Sequence, residues 1–328
     1  MKFNERYRQQ NNFQALPLEL GLQIFGTALG YTFATLAPVG RVWIPQIHFW
    51  CVIGIQILRT LVVILASGRD SNHLIYKTVP KDLNWIFVGP EFHCLHHVYP
   101  DRYIGSFIKL FDWICGTAYS FRGKRFVITG GDGAFSQAMV MELKREGVQD
   151  IRKLEFGTDW DPHHFEKAAQ MLATCDILIL EHGTKDGDAA KSNCDSAVRL
   201  VQLFKQHRST NGSNPTLPEV WYVGSEIEIH PSLEISQLQR YSDSKRSFLP
   251  HGRSYYDDAD IIYRHIMPSA FQSSMGPAIY SPVWAARWSM WWIRRGARYI
   301  PVSCTVFSFL NYLKFIFLVP YARDVDTA

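Results

Sequence analysis

The sequence predicts an α/β domain with a doubly wound parallel sheet, preceded by an all-α membrane segment with two transmembrane helices. Three observations carry this expectation. Two long apolar runs stand at Leu16–Leu36 and Trp43–Ala66. The stretch Arg125–Ser136, RFVITGGDGAFS, runs from a β-like segment through a glycine turn straight into a helical pattern, QAMVMELKREG. Beyond it, strand-like runs recur at Ile151–Phe156, CDILIL, PEVWYV and DIIYRHIM, with helical stretches between them, the alternation expected of βαβ units. The division falls at about residue 120, giving a membrane-embedded region over 1–120 and an α/β domain with an apolar tail over 121–328.

Composition narrows the class. A chain of 328 residues with 47% apolar content can bury a sizeable core or contact a membrane. The net charge is only +4 and the basic residues are scattered, which argues against a nucleic-acid partner. The cysteines, Cys51, Cys94, Cys115, Cys175, Cys194 and Cys304, form no CxxC pair. That points to reduced thiols rather than a disulfide frame. The polar start MKFNERYRQQNNFQ has no signal-peptide layout.

Each of the two apolar runs is about long enough to cross a hydrocarbon core of ~30 Å. Glu19 and Gln23 break the first, and Gln46, His48, Gln56 and Arg59 interrupt the second. A pair of buried soluble helices would suit the same pattern. Lys2, Arg6 and Arg8 precede the first run, and Arg69, Lys77 and Lys81 follow the second. The positive-inside rule therefore places both ends, and the α/β domain, in the cytoplasm of an integral membrane protein. The lipid bilayer is the first expected partner, and the reading leaves a homo-oligomer open.

Next comes an HxxHH cluster, His93, His96 and His97, whose helical spacing puts three imidazoles on one face. Gly105-Ser106 and the run Phe111-Asp112-Trp113-Ile114-Cys115-Gly116-Thr117 follow. Over Ser71–Tyr119 this resembles the end of the fatty acid hydroxylase/sterol desaturase superfamily, with His73 matching a preceding Asn/His motif. The resemblance implies iron as a cofactor. The family's two earlier histidine boxes are absent, however, and residues 1–70 hold only His48. A complete di-iron site is not expected, and the four candidate ligands would hold at most one metal.

The glycine turn is the centre of the second region. A strand, a glycine turn and a helix bring a backbone close to a pyrophosphate and aim helix N–H groups at it. Thr129, Gly130, Gly131, Gly133, Ala134 and Phe135 are the candidate cofactor-binding residues of the turn. Tyr241 and Lys245 stand four apart, on one helical face. A phenol works as an acid/base at neutral pH when a cation lies beside it.

From Arg125 to about Tyr299 the order of these features resembles the short-chain dehydrogenase/reductase superfamily. The resemblance implies a Rossmann-like domain with bound NAD or NADP. It also implies Tyr241 as proton donor or acceptor, Lys245 as its electrostatic partner and ribose ligand, Ser225 as the substrate-orienting hydroxyl, and Asn193 as the lysine's link to a water. Gly183, in Glu181-His182-Gly183-Thr184, keeps only the glycine of the family's Asn-Asn-Ala-Gly motif. Pro268 and Ser273 match the loop that closes on the nicotinamide. The interval from Thr129 to Gly183 is short by about one βα unit, which alters the adenine-ribose pocket. Lys153 or Thr158 would tolerate a phosphate there.

The helix SPVWAARWSMWWIRRG sets Trp284, Trp288, Trp291 and Trp292 close to one face, with arginines near. That composition suits a bilayer surface or an ordinary helix of the fold. Val302–Tyr321 is apolar apart from Asn311 and Lys314 and should insert, skim the membrane or pack on the first helix pair. The expected function is that of a membrane-attached NAD(P)-dependent oxidoreductase acting on a lipid-like carbonyl or alcohol. The alternatives are an iron-dependent lipid hydroxylase or desaturase, and a degenerate nucleotide-binding scaffold. Both halves together resemble the sterol desaturase/short-chain dehydrogenase fusions of cyanobacteria.

Overall fold

The computed structural model describes residues 15–36, 44–65, 76–161, 164–183, 191–208, 216–228, 236–272, 278–303 and 307–322. Helices α1 (Ala15–Leu36) and α2 (Gln46–Leu65) come first, followed by α3 (Pro90–Val98) and α4 (Leu110–Cys115). The α/β part runs β1 (Arg125–Thr129), α5 (Ala134–Arg145), β2 (Asp150–Leu154), α6 (Glu166–Ala173) and β3 (Ile177–Leu180). It continues with α7 (Ser196–His207), β4 (Glu219–Val223), α8 (Ser236–Asp257), β5 (Ile262–Pro268), α9 (Pro282–Arg294), β6 (Tyr299–Val302) and α10 (Phe307–Phe317).

The six strands form one parallel sheet in the order β2-β1-β3-β4-β5-β6. Helices cover both faces, so the strands read as continuous apolar runs rather than alternating ones. One face buries Leu178, Leu200, Phe204, Tyr222 and Phe248, and the other buries Phe126, Ile128, Met139, Trp221 and Met290. This is a Rossmann-like α/β fold. Its crossover reverses between β1 and β3, at the carboxyl ends of which open α/β sheets place ligands. β2 lies at one edge of the sheet among the described residues.

Among the described residues only α2 is long and apolar enough to cross a membrane. α1 carries Glu19, Gln23, Thr27 and Thr35, of which Glu19 and Thr27 meet α2. Gln56 Nε2 donates to Thr27 Oγ1 at 2.8 Å, and Arg59 pairs with Glu19 at 3.4 Å. Two strand and helix ends differ from expectation. β2 stops at Leu154, because Phe156 turns back to bridge Trp160. α6 begins at Glu166 rather than His163, a residue outside those described.

The C-terminal helices belong to the sheet domain. α9 buries Ala285, Ala286, Met290 and Ile293, while Trp284, Trp288 and Trp291 stack in a ladder on its other side. α10 does not pack on the first helix pair. Its Phe315 lies against Tyr256, His265 and Tyr299, because the apolar side chains of that helix fall on two faces and one of them fits the sheet.

Candidate active site

β1 delivers Thr129 to the carboxyl edge of the sheet with its hydroxyl turned to β3. Thr129 Oγ1 accepts from the Glu181 amide at 3.1 Å and meets His182 Nδ1 at 2.7 Å. Gly130 then takes φ +65°, and a Cβ there would stand 3.0 Å from the His182 Cα and N. Only glycine suits both the angle and the space. A Cβ on Gly131 would come 2.7 Å from Lys153 Cγ, so the Lys153 stem lies over the turn. Its ammonium reaches Asp132 at 2.6 Å. Gly133 is the N-cap of α5 and makes no side-chain cap bond. The orphan N–H groups of Ala134, Phe135 and their neighbours therefore begin a helix whose N-terminal dipole favours an anion.

Glu181 and His182 stand where the resembled motif has polar amides. Ser136 Oγ lies 2.8 Å from Gly130 O and also touches Glu181 Oε2. The hydroxyl has one proton for two acceptors, and a protonated Glu181 supplies the second. Burial pushes the Glu181 carboxyl up to about 8, against the pull of Ser136 and Lys245. Glu181 Oε1 is buried with no partner. Burial and the Lys245 charge push His182 down to about 3, and its Nε2 lies 2.8 Å from Ser196 Oγ. Trp160, which sequence reasoning passed over, packs its ring 5.3 Å from that of His182. The turn closed by the Phe156–Trp160 bridge thus fills space beside His182.

The catalytic candidates come from three elements. Asn193 lies in a π-helical turn, Lys191–Asp195, ahead of α7, and donates to Ser244 Oγ at 2.8 Å. Lys245, on α8, is buried and donates to the Val223 carbonyl at 3.1 Å. A Cβ on Gly183 would stand 3.6 Å from both Asn193 Oδ1 and Lys245 Nζ. Those three residues therefore meet beside the glycine turn. Burial pushes Lys245 down to about 8, opposed chiefly by the charge of Glu228. Tyr241 is pushed up to about 12 by burial and then by Glu228. Ser225 follows β4, and its Oγ accepts from the Ile227 amide at 3.4 Å. Ser242, next to Tyr241, donates to Ile227 O at 2.8 Å, which ties α8 to the Ser225 turn. Pro268 ends β5. Beyond it Phe271 bridges Tyr280 and stacks 5.5 Å from Phe135, carrying the loop over the start of α5. Ser273 lies outside the described residues.

The arrangement fits a dinucleotide. A glycine turn too tight for side chains, an open helix N-terminus and a lysine-bearing helix converge, with an orphaned buried oxygen, Glu181 Oε1, among them.

The rings of His93, His96 and His97 lie 4.7–6.2 Å apart on α3. His93 and His97 approach at 3.1 Å between their Nε2 atoms, while His96 Nδ1 turns to Arg102 O at 3.0 Å. Among the described residues no three His, Cys, Asp or Glu side chains are grouped to hold a metal. His73 lies outside the described residues. The shared motif instead serves the fold. Asp112 is fully buried and accepts from Ile104 N at 2.8 Å, Gly105 N at 2.7 Å and Thr117 Oγ1 at 2.5 Å. Gly116 takes φ +69° to close α4. Aspartate, glycine and threonine at this spacing make a staple.

No family model matches the chain. A curated relative, monoglucosyldiacylglycerol epimerase from Synechocystis sp., is 29% identical over 264 residues, 72% of this chain and 63% of the relative. The chain thus spans less than two thirds of that protein's length. Among solved structures, a short-chain dehydrogenase from Burkholderia cenocepacia in complex with NADP is 14% identical with a TM-score of 0.46, covering 60% of this chain and 94% of its own. A bulky-bulky ketone specific alcohol dehydrogenase from Comamonas testosteroni is 13% identical at 0.46, with 58% and 90% covered. A Sphingobium yanoikuyae short-chain dehydrogenase in complex with NADPH is 12% identical at 0.45, with 58% and 92% covered.

Proposed function

We propose that this chain is a membrane-attached, NAD(P)-dependent oxidoreductase of the short-chain dehydrogenase type, with 1–120 as its membrane region and 121–328 as its catalytic domain. The convergence of Lys245 and Asn193 on Gly183, beside the Gly130 turn, is the observation that carries it. The substrate is a lipid-like alcohol or carbonyl. The name of the curated relative narrows this to a sugar hydroxyl of a glycosyl diacylglycerol, inverted by oxidation and re-reduction.

A bound nicotinamide would accept the hydride from the carbinol carbon and return it. Thr129, Gly130, Gly131, Gly133, Ala134, Phe135, Gly183, Pro268 and Ser273 would hold the cofactor. Lys153, over Gly131, favours NADP by offering a cation to a phosphate. Tyr241 would return a proton to the substrate oxygen when the carbonyl is reduced, and in the oxidising half its phenolate, stabilised by Lys245, would take the alcohol proton as the C–H bond breaks. With its pKa near 12 the phenol is protonated in the free protein and poised as the donor. Ser225 donates to the substrate oxygen. Lys245 opposes the charge on the phenolate and binds ribose hydroxyls, while Asn193 helps to hold that end of α8. Iron chemistry is not part of this reading.

A bilayer partner is supported by α2 and by the exposed Leu83, Trp85, Phe107, Phe111 and Ile114. Such side chains suit an interface. The sheet domain would lie in the cytoplasm. The test is turnover by detergent-purified protein on glucosyl and galactosyl diacylglycerols, fatty aldehydes and sterol ketones with both cofactors. Tyr241→Phe should abolish turnover yet bind NADPH normally by tryptophan-to-NADPH energy transfer. Cofactor binding without turnover on any substrate would leave the nucleotide-binding scaffold reading in its place, and failure to bind either cofactor would reject both.

A further inference from the structure

Glu228 is completely buried behind the Ser225 turn, on a short 3₁₀ segment, Glu226–Glu228. Its Oε1 accepts from the Ser225 amide at 3.0 Å. Its Oε2 lies 3.2 Å from Nε2 of His265, which is also completely buried. Tyr263 O–H reaches His265 Nδ1 at 2.9 Å, and burial keeps that phenol protonated well beyond the ordinary tyrosine range. Nδ1 is then the acceptor, so Nε2 carries the ring proton and donates to Glu228. Both carboxylate oxygens accept, and the chain Tyr263–His265–Glu228–Ser225 is continuous.

The backbone makes room for this carboxylate. A Cβ on Gly224 would collide with Glu228 Oε1 and stand 2.8 Å from His265 Nε2. A buried polar network is no gain in stability over apolar packing of the same volume, so its position against the Ser225 turn calls for another role. The groups facing Glu228 are Tyr241, Lys245 and Arg246 on α8, Tyr222 on β4, Tyr263 and His265 on β5, Tyr299 on β6, and Asn311 and Lys314 on α10. Arg246 is engaged with the Glu228 backbone carbonyl at 3.0 Å rather than with its carboxylate. Asn311 is buried with neither amide atom partnered, and with Lys314 it lines a small cavity against Glu228.

We propose that Glu228, oriented by His265, is a positioning residue that holds the Ser225 turn and sets the protonation of the Tyr241–Lys245 pair. The inference rests on the oxidoreductase reading for what the pair does, though not for whether Glu228 controls it. Lys245 Nζ donates to the carbonyl of Val223, two residues before the Ser225 amide that donates to Glu228, and a negative charge nearby favours the ammonium and disfavours the phenolate. Glu228 therefore holds Lys245 charged and Tyr241 neutral, the state required of a proton donor.

The test is the titration of Lys245 in the full-length detergent-purified protein without cofactor or substrate. It is read by NMR of ¹³Cε-lysine and assigned with Lys245→Met. Glu228→Gln keeps the shape and the acceptor for the Ser225 amide while removing the charge; its NH2 faces His265, which can accept it by moving the ring proton to Nδ1 and donating to the Tyr263 hydroxyl oxygen. The variant should titrate Lys245 about one pH unit lower, a tenfold change in proton affinity, and Glu228→Asp should restore most of that shift. Where turnover is found, the alkaline limb of its pH profile should move the same way. A Lys245 titration that Glu228→Gln leaves in place overturns the proposal, and loss of activity alongside it would mean a merely structural role. If Glu228→Gln does not fold, His265→Gln must displace the same titration, and a fixed one again overturns it. A shifted titration without turnover on any substrate would leave the proposal standing and count against the oxidoreductase reading alone.

Discussion

Gly130 and His182 meet backbone to backbone: a Cβ on Gly130 would stand 3.0 Å from the His182 amide nitrogen and Cα. The close approach lets the turn after β1 lie flat across the end of β3. Gly130→Ala should push the two apart and force a side chain into φ +65°. A cost of about 1–2 kcal/mol is expected from the angle alone. NADPH binding should fall by more than that cost predicts, because the turn itself moves. Denaturant midpoints and NADPH energy transfer, measured on the same preparation, check the two parts.

Lys153 should decide between the two nicotinamide cofactors. It is exposed and lies along Gly131, with Asp132 at 2.6 Å. Lys153→Ala should weaken NADPH binding about tenfold and leave NADH nearly unchanged, since only the former carries the phosphate a lysine can pair with. Equal losses for both cofactors would reject the assignment.

Glu181 makes stability depend on pH. Its folded carboxyl sits near 8 against an ordinary value of 4.5, so the folded chain binds this proton more tightly than the unfolded chain. The favourable difference is present below the unfolded value and is lost as pH rises through about 8. His182, pushed down to about 3, has the opposite preference below its ordinary 6.5. The comparison with Glu181→Gln isolates the carboxyl. Between pH 5 and pH 8 the variant's urea midpoint should gain steadily on that of the parent. Parallel midpoints across this range would show that Glu181 is ionised in the fold.

Asp112 should matter for folding and not for metal. Its carboxylate accepts from two backbone amides and the Thr117 hydroxyl in a fully buried position. Asp112→Ala leaves all three donors unsatisfied and should cost about 3 kcal/mol or more. Proteolysis within 76–122 should become faster, while elemental analysis of parent and variant should match. A variant as resistant as its parent would remove the staple.

The architecture of the α/β part was legible because its signals are local. An apolar run, a glycine turn and a helical period identify a βα unit without any distant contact, and Tyr241 and Lys245 share a face by helical spacing alone. Five such runs in order pointed to a parallel sheet; its sixth strand, β6, and the position of β2 at its edge came with the structure. Tertiary contacts decided the rest. The polar residues of α1 read as interruptions of a membrane span until Gln56 and Arg59 of α2 proved to be their partners. The HxxHH cluster and the Asp112 run read together as one family resemblance, yet Asp112 satisfies backbone amides and the Thr117 hydroxyl. Glu228 and His265 gave no sequence signal at all. They lie on different elements far apart in the chain, and their link exists only because β5 lies beside β4 and Gly224 lacks a side chain. Local periodicity determines which segments become strands and helices. Which polar groups then face one another in the low-dielectric interior, and therefore which protons they hold, is decided only when the sheet is assembled.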